Sequence, residues 1–73
     1  MVYYILFKGV TQVMDADVRL SRCGVSYEIV PVPKAISSQC GVCVRTEELD
    51  RALECLGELS PVAVYDEGLR RIS

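Results

Sequence analysis

Pro31-Val32-Pro33-Lys34-Ala35-Ile36-Ser37-Ser38-Gln39-Cys40-Gly41 lies near the middle of a 73-residue chain and reads as a connection between two strands. A hairpin turn needs only a few residues. This stretch has eleven, with two prolines, two serines and a closing Cys-Gly. A connection longer than its task and chemically specific more often holds a functional group in place. Read this way, the stretch presents Cys40 and divides the chain into two halves, each of which spells strand, helix, strand.

The first half opens with Val-Tyr-Tyr-Ile-Leu-Phe, residues 2–7. This unbroken run of β-branched and aromatic residues fits a central strand buried on both faces. Lys8-Gly9 breaks it. Thr11 reads as the N-cap of a helix, with Asp15 in its first turn. Val13, Ala16, Leu20 and Cys23 then recur at helical spacing as one apolar stripe. Arg19 and Arg22 fall in the last turns, and Gly24 reads as the stop. Cys23 is thereby expected at the end of a core stripe. Val25 to Val32 alternates as a strand, and Pro31 either puts it at a sheet edge or ends it there, because proline cannot donate to a ladder.

The second half begins with a strand over Cys40 to Arg45. Val42 and Val44 share one face, Cys43 and Arg45 the other. Thr46 reads as a cap, with Glu47, Glu48 and Asp50 behind it. Leu49, Ala52, Leu53, Leu56 and Leu59 make the apolar stripe of a second helix, with Cys55 at its flank. Gly57 weakens that helix and Ser60-Pro61 ends it. Val62 to Tyr65 is a last short strand, followed by a polar tail.

Composition narrows the class. Seventy-three residues support a single domain over 1–73, small enough to be marginally stable. Hydrophobic residues make up 51% and mean hydropathy is +0.27, rich for such a chain. Net charge is −2 with no basic run, which argues against nucleic acid as a partner. No apolar segment approaches the roughly 20 residues that span a bilayer, and no signal peptide is expected. The default location is the cytoplasm, where Cys23, Cys40, Cys43 and Cys55 are expected as thiols. With no histidine, Cys–His catalysis and mixed Cys/His zinc sites are excluded.

The order β-α-β-β-α-β with right-handed crossovers predicts an α+β fold: the ferredoxin-like split βαβ sandwich. It has a four-stranded antiparallel sheet in the order 4-1-3-2 and both helices on one face. The end of the first strand, the start of the first helix and the central connection then share one end of the sheet. Lys8, Gly9 and Thr11 are therefore expected near Cys40. A helix N-terminus and a lysine both favour thiolate, and in such surroundings a cysteine pKa falls from about 8.5 to roughly 3.5–7.5. Gly41 allows close backbone approach, and Ser37 and Ser38 offer hydroxyl donors. The candidate reactive residue is Cys40, with Lys8, Thr11, Ser37, Ser38 and Gly41 as the groups that bind its cargo. The plainer alternative is that Cys40 is a small strand residue.

Cys40-Gly-Val-Cys43 also spells CxxC. Residues three apart in a strand are separated by about 10 Å and face opposite sides. A disulfide needs Cα atoms within about 7 Å. Cys40 and Cys43 are thus not expected to form a redox pair, and one CxxC alone is a weak zinc signal.

The run from Val30 to Arg45 resembles the signature of a small bacterial family, the selenium/sulfur carrier protein-like family. Its members show Pro-x-Pro-Arg-x-x-Ser-x-x-Cys-Gly. Pro31, Pro33, Ser37, Cys40 and Gly41 match that pattern, and the helix from Thr11 to Gly24 is similar to the family's first helix. Lys34 stands where arginine is usual, which keeps the charge and loses the planar fork. Asp17 stands where glutamate is expected, and Cys43 is no part of the motif. The resemblance implies that Cys40 holds sulfur or selenium as a persulfide or selenopersulfide. The donor would be a protein such as a cysteine desulfurase, and the cargo would pass to an acceptor protein with no cofactor.

Two other readings stand beside the carrier, which is itself favoured over a stand-alone enzyme. One is a non-enzymatic interaction or regulatory module, pairing as a homodimer through the sheet edge or an open face where Cys43, Ala63 and Tyr65 would lie. The other is a soft-metal handler using Cys40 and Cys43. It ranks last, because metal chaperones of this fold usually carry their cysteines after the first strand, where Lys8-Gly9-Val10 has none.

Overall fold

The computed structural model describes residues 1–36 and 41–73. Its elements are β1 (Tyr3–Leu6), α1 (Val10–Cys23), β2 (Tyr27–Pro31), β3 (Val42–Thr46), α2 (Leu49–Leu56) and β4 (Ala63–Tyr65). They build one four-stranded sheet in the order β2-β3-β1-β4. Every pairing is antiparallel: β1 meets β3 at Ile5↔Val44, β2 meets β3 at Ile29↔Val44, and β1 meets β4 at Ile5↔Val64. This is the α+β, ferredoxin-like arrangement expected, with β1 in the interior of the sheet and the proline-bearing β2 at its edge.

Strand alternation gives the sheet two apolar faces. Ile5, Phe7, Val44 and Val64 turn toward the helices and pack with Val13, Ala16 and Leu20 of α1 and Ala52 and Leu56 of α2. On the other face, Leu6 and Cys43 are buried beneath Ile36, with Tyr4, Val30, Val32, Tyr65 and Leu69 around them. That face was expected to be open. The chain covers it itself: Ile36 comes from the central connection and retains 6% exposure, and Cys43 beneath it has none. Leu69 comes from the C-terminal segment, which is more than a polar tail. Ile72 N–H donates to the Val64 carbonyl (2.8 Å) and Val64 N–H to the Ser73 carbonyl (3.1 Å), so the tail runs back along β4.

Three local readings are corrected. Gly9, not Thr11, is the N-cap of α1, so Thr11 lies inside the helix and Asp15 beyond its first turn. Thr46 precedes α2 without capping it; Glu48 holds the N-cap position. The Thr46 hydroxyl instead donates to the Ser26 carbonyl (2.7 Å) and accepts from Glu48 N–H (3.0 Å). α2 ends at Leu56, earlier than Ser60-Pro61, because Gly57 takes a φ of 57°, a left-handed value glycine adopts without steric cost. Arg19 of α1 closes that end by donating to the Leu56 carbonyl (2.8 Å).

The fourth correction concerns the cysteines. Cys23 and Cys55 are joined by a disulfide, with Cα atoms 6.3 Å apart and a sequence separation of 32. They were expected as thiols, with Cys23 in the core stripe. Cys23 is exposed and only Cys55 packs against the core. On the chain-entropy account, a bridge closing a loop of this length stabilises the fold by roughly 3–4 kcal/mol.

The junctions around β2 are tied by ionised groups. Ser26 N–H donates to the Glu48 carboxylate (2.7 Å), and Arg51 pairs with the same group. The backbone donor first and Arg51 second hold the Glu48 carboxyl below its ordinary value of 4.5. The Tyr27 hydroxyl donates to the Asp17 backbone carbonyl (2.9 Å) and to the Asp17 carboxylate. That carboxylate, followed by desolvation, raises the tyrosine pKa.

Two predictions follow from this packing. Ile36→Ala uncovers Leu6 and Cys43 and should lower stability by about 2–4 kcal/mol in urea unfolding, as truncation of a buried isoleucine does; a loss within about 0.5 kcal/mol, the range of ordinary surface changes, would mean that Ile36 does not pack there. For Glu48, a folded pKa below the unfolded value means its contribution is fully present above about pH 4.5 and is lost as pH falls through the folded value. Glu48→Gln should therefore flatten the decline of the urea midpoint below that pH, and an unchanged acid profile would contradict the assignment.

Candidate functional site

The central connection leaves the sheet at its β2–β3 end. The ladder runs to Pro31↔Val42, and one step further Val32 N–H donates to the Gly41 carbonyl (3.1 Å). Beyond that rung the chain turns, with Ile36 N–H donating to the Pro33 carbonyl (2.9 Å). The turn is local, and its consequence is long-range: it delivers Ile36 onto Leu6 and Cys43. The connection is therefore anchored at its base by a backbone hydrogen bond and on its outgoing limb by a buried side chain. Prolines at 31 and 33 favour extended backbone entering the turn.

The same end of the sheet carries the start of α1. The β1–β3 register pairs Tyr3 with Thr46 and Ile5 with Val44. β1 therefore ends, and Lys8 follows, at the end of the sheet where β3 begins. Lys8 is exposed, and its N–H donates to the Gln12 side chain (3.0 Å), which fixes the entry into the helix. Gln12 and Val13 N–H both donate to the Gly9 carbonyl (3.1 and 3.2 Å). The positive end of the α1 dipole thus lies at this end of the sheet, beside the exposed Lys8. Lys34 is also exposed on the connection.

The expected site residues divide accordingly. Lys8, Thr11 and Gly41 are all exposed; Lys8 and Gly41 lie at this end, and Thr11 is in the first turn of α1. A methyl group added at Gly41 would meet nothing within 4 Å, so the space above its Cα is open. Ser37, Ser38 and Cys40 lie outside the described residues. Cys43 faces away from the helix layer and is fully buried under Ile36. Among the described residues, no cluster of three or more His, Cys, Asp or Glu side chains could hold a metal ion. The cysteine pair missed by sequence reasoning is Cys23–Cys55. Its only signal was that both residues fall near the C-terminal ends of helices that pack side by side.

A hollow of about 300 Å³ lies at the opposite end of the sheet, lined by Tyr3, Glu47, Glu48, Leu49, Asp50 and Arg51. It opens at the start of α2, holds no cysteine and is acidic. It therefore offers no thiol to carry sulfur or selenium, and the connection end remains the candidate site.

Comparison with known proteins gives one match. A family model described as "Putative Se/S carrier protein-like" matches residues 2–65, a span from before β1 to the end of β4. No curated protein and no solved structure matches the chain.

Proposed function

The chain belongs to the Se/S carrier protein-like family, and on that premise we propose that it is a sulfur or selenium carrier that works through Cys40. The observation that carries this reading is the family match together with Pro31, Pro33, Ser37, Cys40 and Gly41 in the motif positions. Three described features support it. Gly41 is exposed with open space above it, Lys8 follows β1 at the same end of the sheet, and α1 begins there. Lysine and a helix N-terminus favour the thiolate, which is the form that attacks sulfane sulfur.

The transfer is a thiol exchange. The Cys40 thiolate attacks the terminal sulfur of a persulfide on the donor, a protein such as a cysteine desulfurase. A bond forms between Cys40 Sγ and that sulfur, the donor's S–S bond breaks, and its electron pair leaves on the donor thiolate. Cys40 then carries the persulfide, and attack by an acceptor on the terminal atom returns the Cys40 thiolate. Selenium follows the same course as a selenopersulfide. No electrons are gained or lost overall and no cofactor is needed. In this reading Lys8, Thr11, Ser37, Ser38 and Gly41 border the cargo. Among the described residues no helix is long and apolar enough to cross a membrane, and the proposal places the carrier in the cytoplasm, where thiol chemistry is maintained.

The second reading, a non-enzymatic interaction module, draws on the outer side of α1. Val10, Met14 and Val18 recur every four residues there and are 55%, 64% and 46% exposed. A row of this kind is a surface that donor and acceptor proteins, or a second copy, would meet.

Incubation with a cysteine desulfurase and cysteine, followed by intact-mass analysis, tests the carrier. The wild-type chain should gain the mass of single sulfur atoms in a form removed by dithiothreitol, and Cys40→Ser should gain none. Absence of the adduct from the wild type, or an undiminished adduct on Cys40→Ser, would contradict the proposal.

A further inference from the structure

Two cysteines stand outside the carrier reading, and they are bonded to each other. Cys23 is the last residue of α1, and Cys55 lies in the last turn of α2. The bond crosses between the helices at the C-terminal end of α1, whereas the central connection leaves the sheet at the end where α1 begins. Cys23 is exposed and Cys55 half-buried, so one side of the bridge faces solvent.

The two helices are also held by contacts other than the bridge. Ala16, Leu20, Ala52 and Leu56 are buried to within 1% between the helices and the sheet. Arg19 ties the two helices independently through the Leu56 carbonyl. Gly24 ends α1 in the left-handed conformation, with its N–H on the Ser21 carbonyl and Val25 N–H on the Leu20 carbonyl. Helix termination at Cys23 is therefore set by backbone bonds. A thiolate can reach the bridge from solvent, and the helices have other reasons to stay together when it opens. Exposed bridges of this kind are the labile and regulatory ones, whereas structural staples resist exchange.

We propose that Cys23–Cys55 is a reversible dithiol/disulfide couple, a second thiol site whose substrate is an external dithiol. One thiolate of the dithiol attacks Cys23 Sγ. The Cys23–Cys55 bond breaks, and Cys55 leaves as thiolate and takes up a proton. The second thiol of the reductant then attacks the mixed disulfide, releases Cys23 as a thiol and closes its own disulfide. Two electrons and two protons pass to the protein, and the dithiol is oxidised. The bridge closes a covalent ring over residues 23–55, which contains β2, the central connection and β3. Opening it leaves the eight-residue α2 held to α1 by packing and Arg19 alone. The reduced protein keeps its sheet and has a looser second helix. This inference does not rest on the carrier reading.

The test uses dithiothreitol without denaturant on the wild-type chain and on Cys40→Ser, which keeps the Cys40 thiol out of exchange. Samples are quenched with N-ethylmaleimide and mapped by peptide mass. Both chains should show Cys23 and Cys55 alkylated together while far-UV circular dichroism is retained. Amide exchange should quicken in α2 ahead of the sheet, and oxidised dithiothreitol should restore the bridge. Cys23→Ser/Cys55→Ser should reproduce the circular dichroism and exchange pattern of the reduced chain. The proposal is overturned if the bridge opens only in denaturant, if reduction abolishes the circular dichroism signal, or if the bridge does not re-form.

Discussion

Burial of the sheet on both faces is the constraint on which the rest of the structure depends. A chain of 73 residues has little apolar area to spare, and small domains of this size are marginal. Two helices cover one face. The other is covered by the chain's own connections, chiefly Ile36 over Leu6 and Cys43, with Leu69 at the flank. Since Ile36 belongs to the central connection, a packing requirement and the candidate functional segment share the same stretch of chain. The side chain that completes the second core also holds the near limb of the connection against the sheet, while the Val32–Gly41 hydrogen bond holds its base.

Much of the architecture was legible because long-range order followed from local patterns. The apolar run at residues 2–7 read as an interior strand, and Pro31 marked β2 as an edge strand or one that ends there. Right-handed crossovers then left one compact sheet order. What was not legible was decided by tertiary contacts or by competition between equivalent signals. Gly9 and Thr11 are both acceptable caps, and the tie of Lys8 N–H to Gln12 goes with an earlier start to α1. Gly57 ends α2 through its positive φ, and Arg19 comes from another helix to close that end. Ile36 lies in a connection that carries no strand or helix period, and only the fold shows what it covers. The Cys23–Cys55 bond joins residues whose separation carries no pairing signal; spacing alone never determines connectivity.

The candidate site was legible in a different way. Its residues carry the family motif, so they were named by resemblance, and the topology sets Lys8 and the start of α1 at the same end of the sheet as Gly41. The cysteines divide by environment. Cys43 is sealed in an apolar core. Cys23 and Cys55 are bonded at the helix ends, and Cys40 sits in the motif on the connection. Thiol reactivity depends on exposure and on nearby positive charge.

The account's central claim is that the end of the sheet bearing Lys8 and the α1 N-terminus makes Cys40 a low-pKa nucleophile. The most direct measurement is the rate of Cys40 alkylation as a function of pH, followed by peptide mass on the bridged protein. The account predicts a midpoint well below the value of about 8.5 for free cysteine, within the roughly 3.5–7.5 range of activated thiols, moving upward in Lys8→Gln. A midpoint at the free-cysteine value, unmoved by Lys8→Gln, would contradict it.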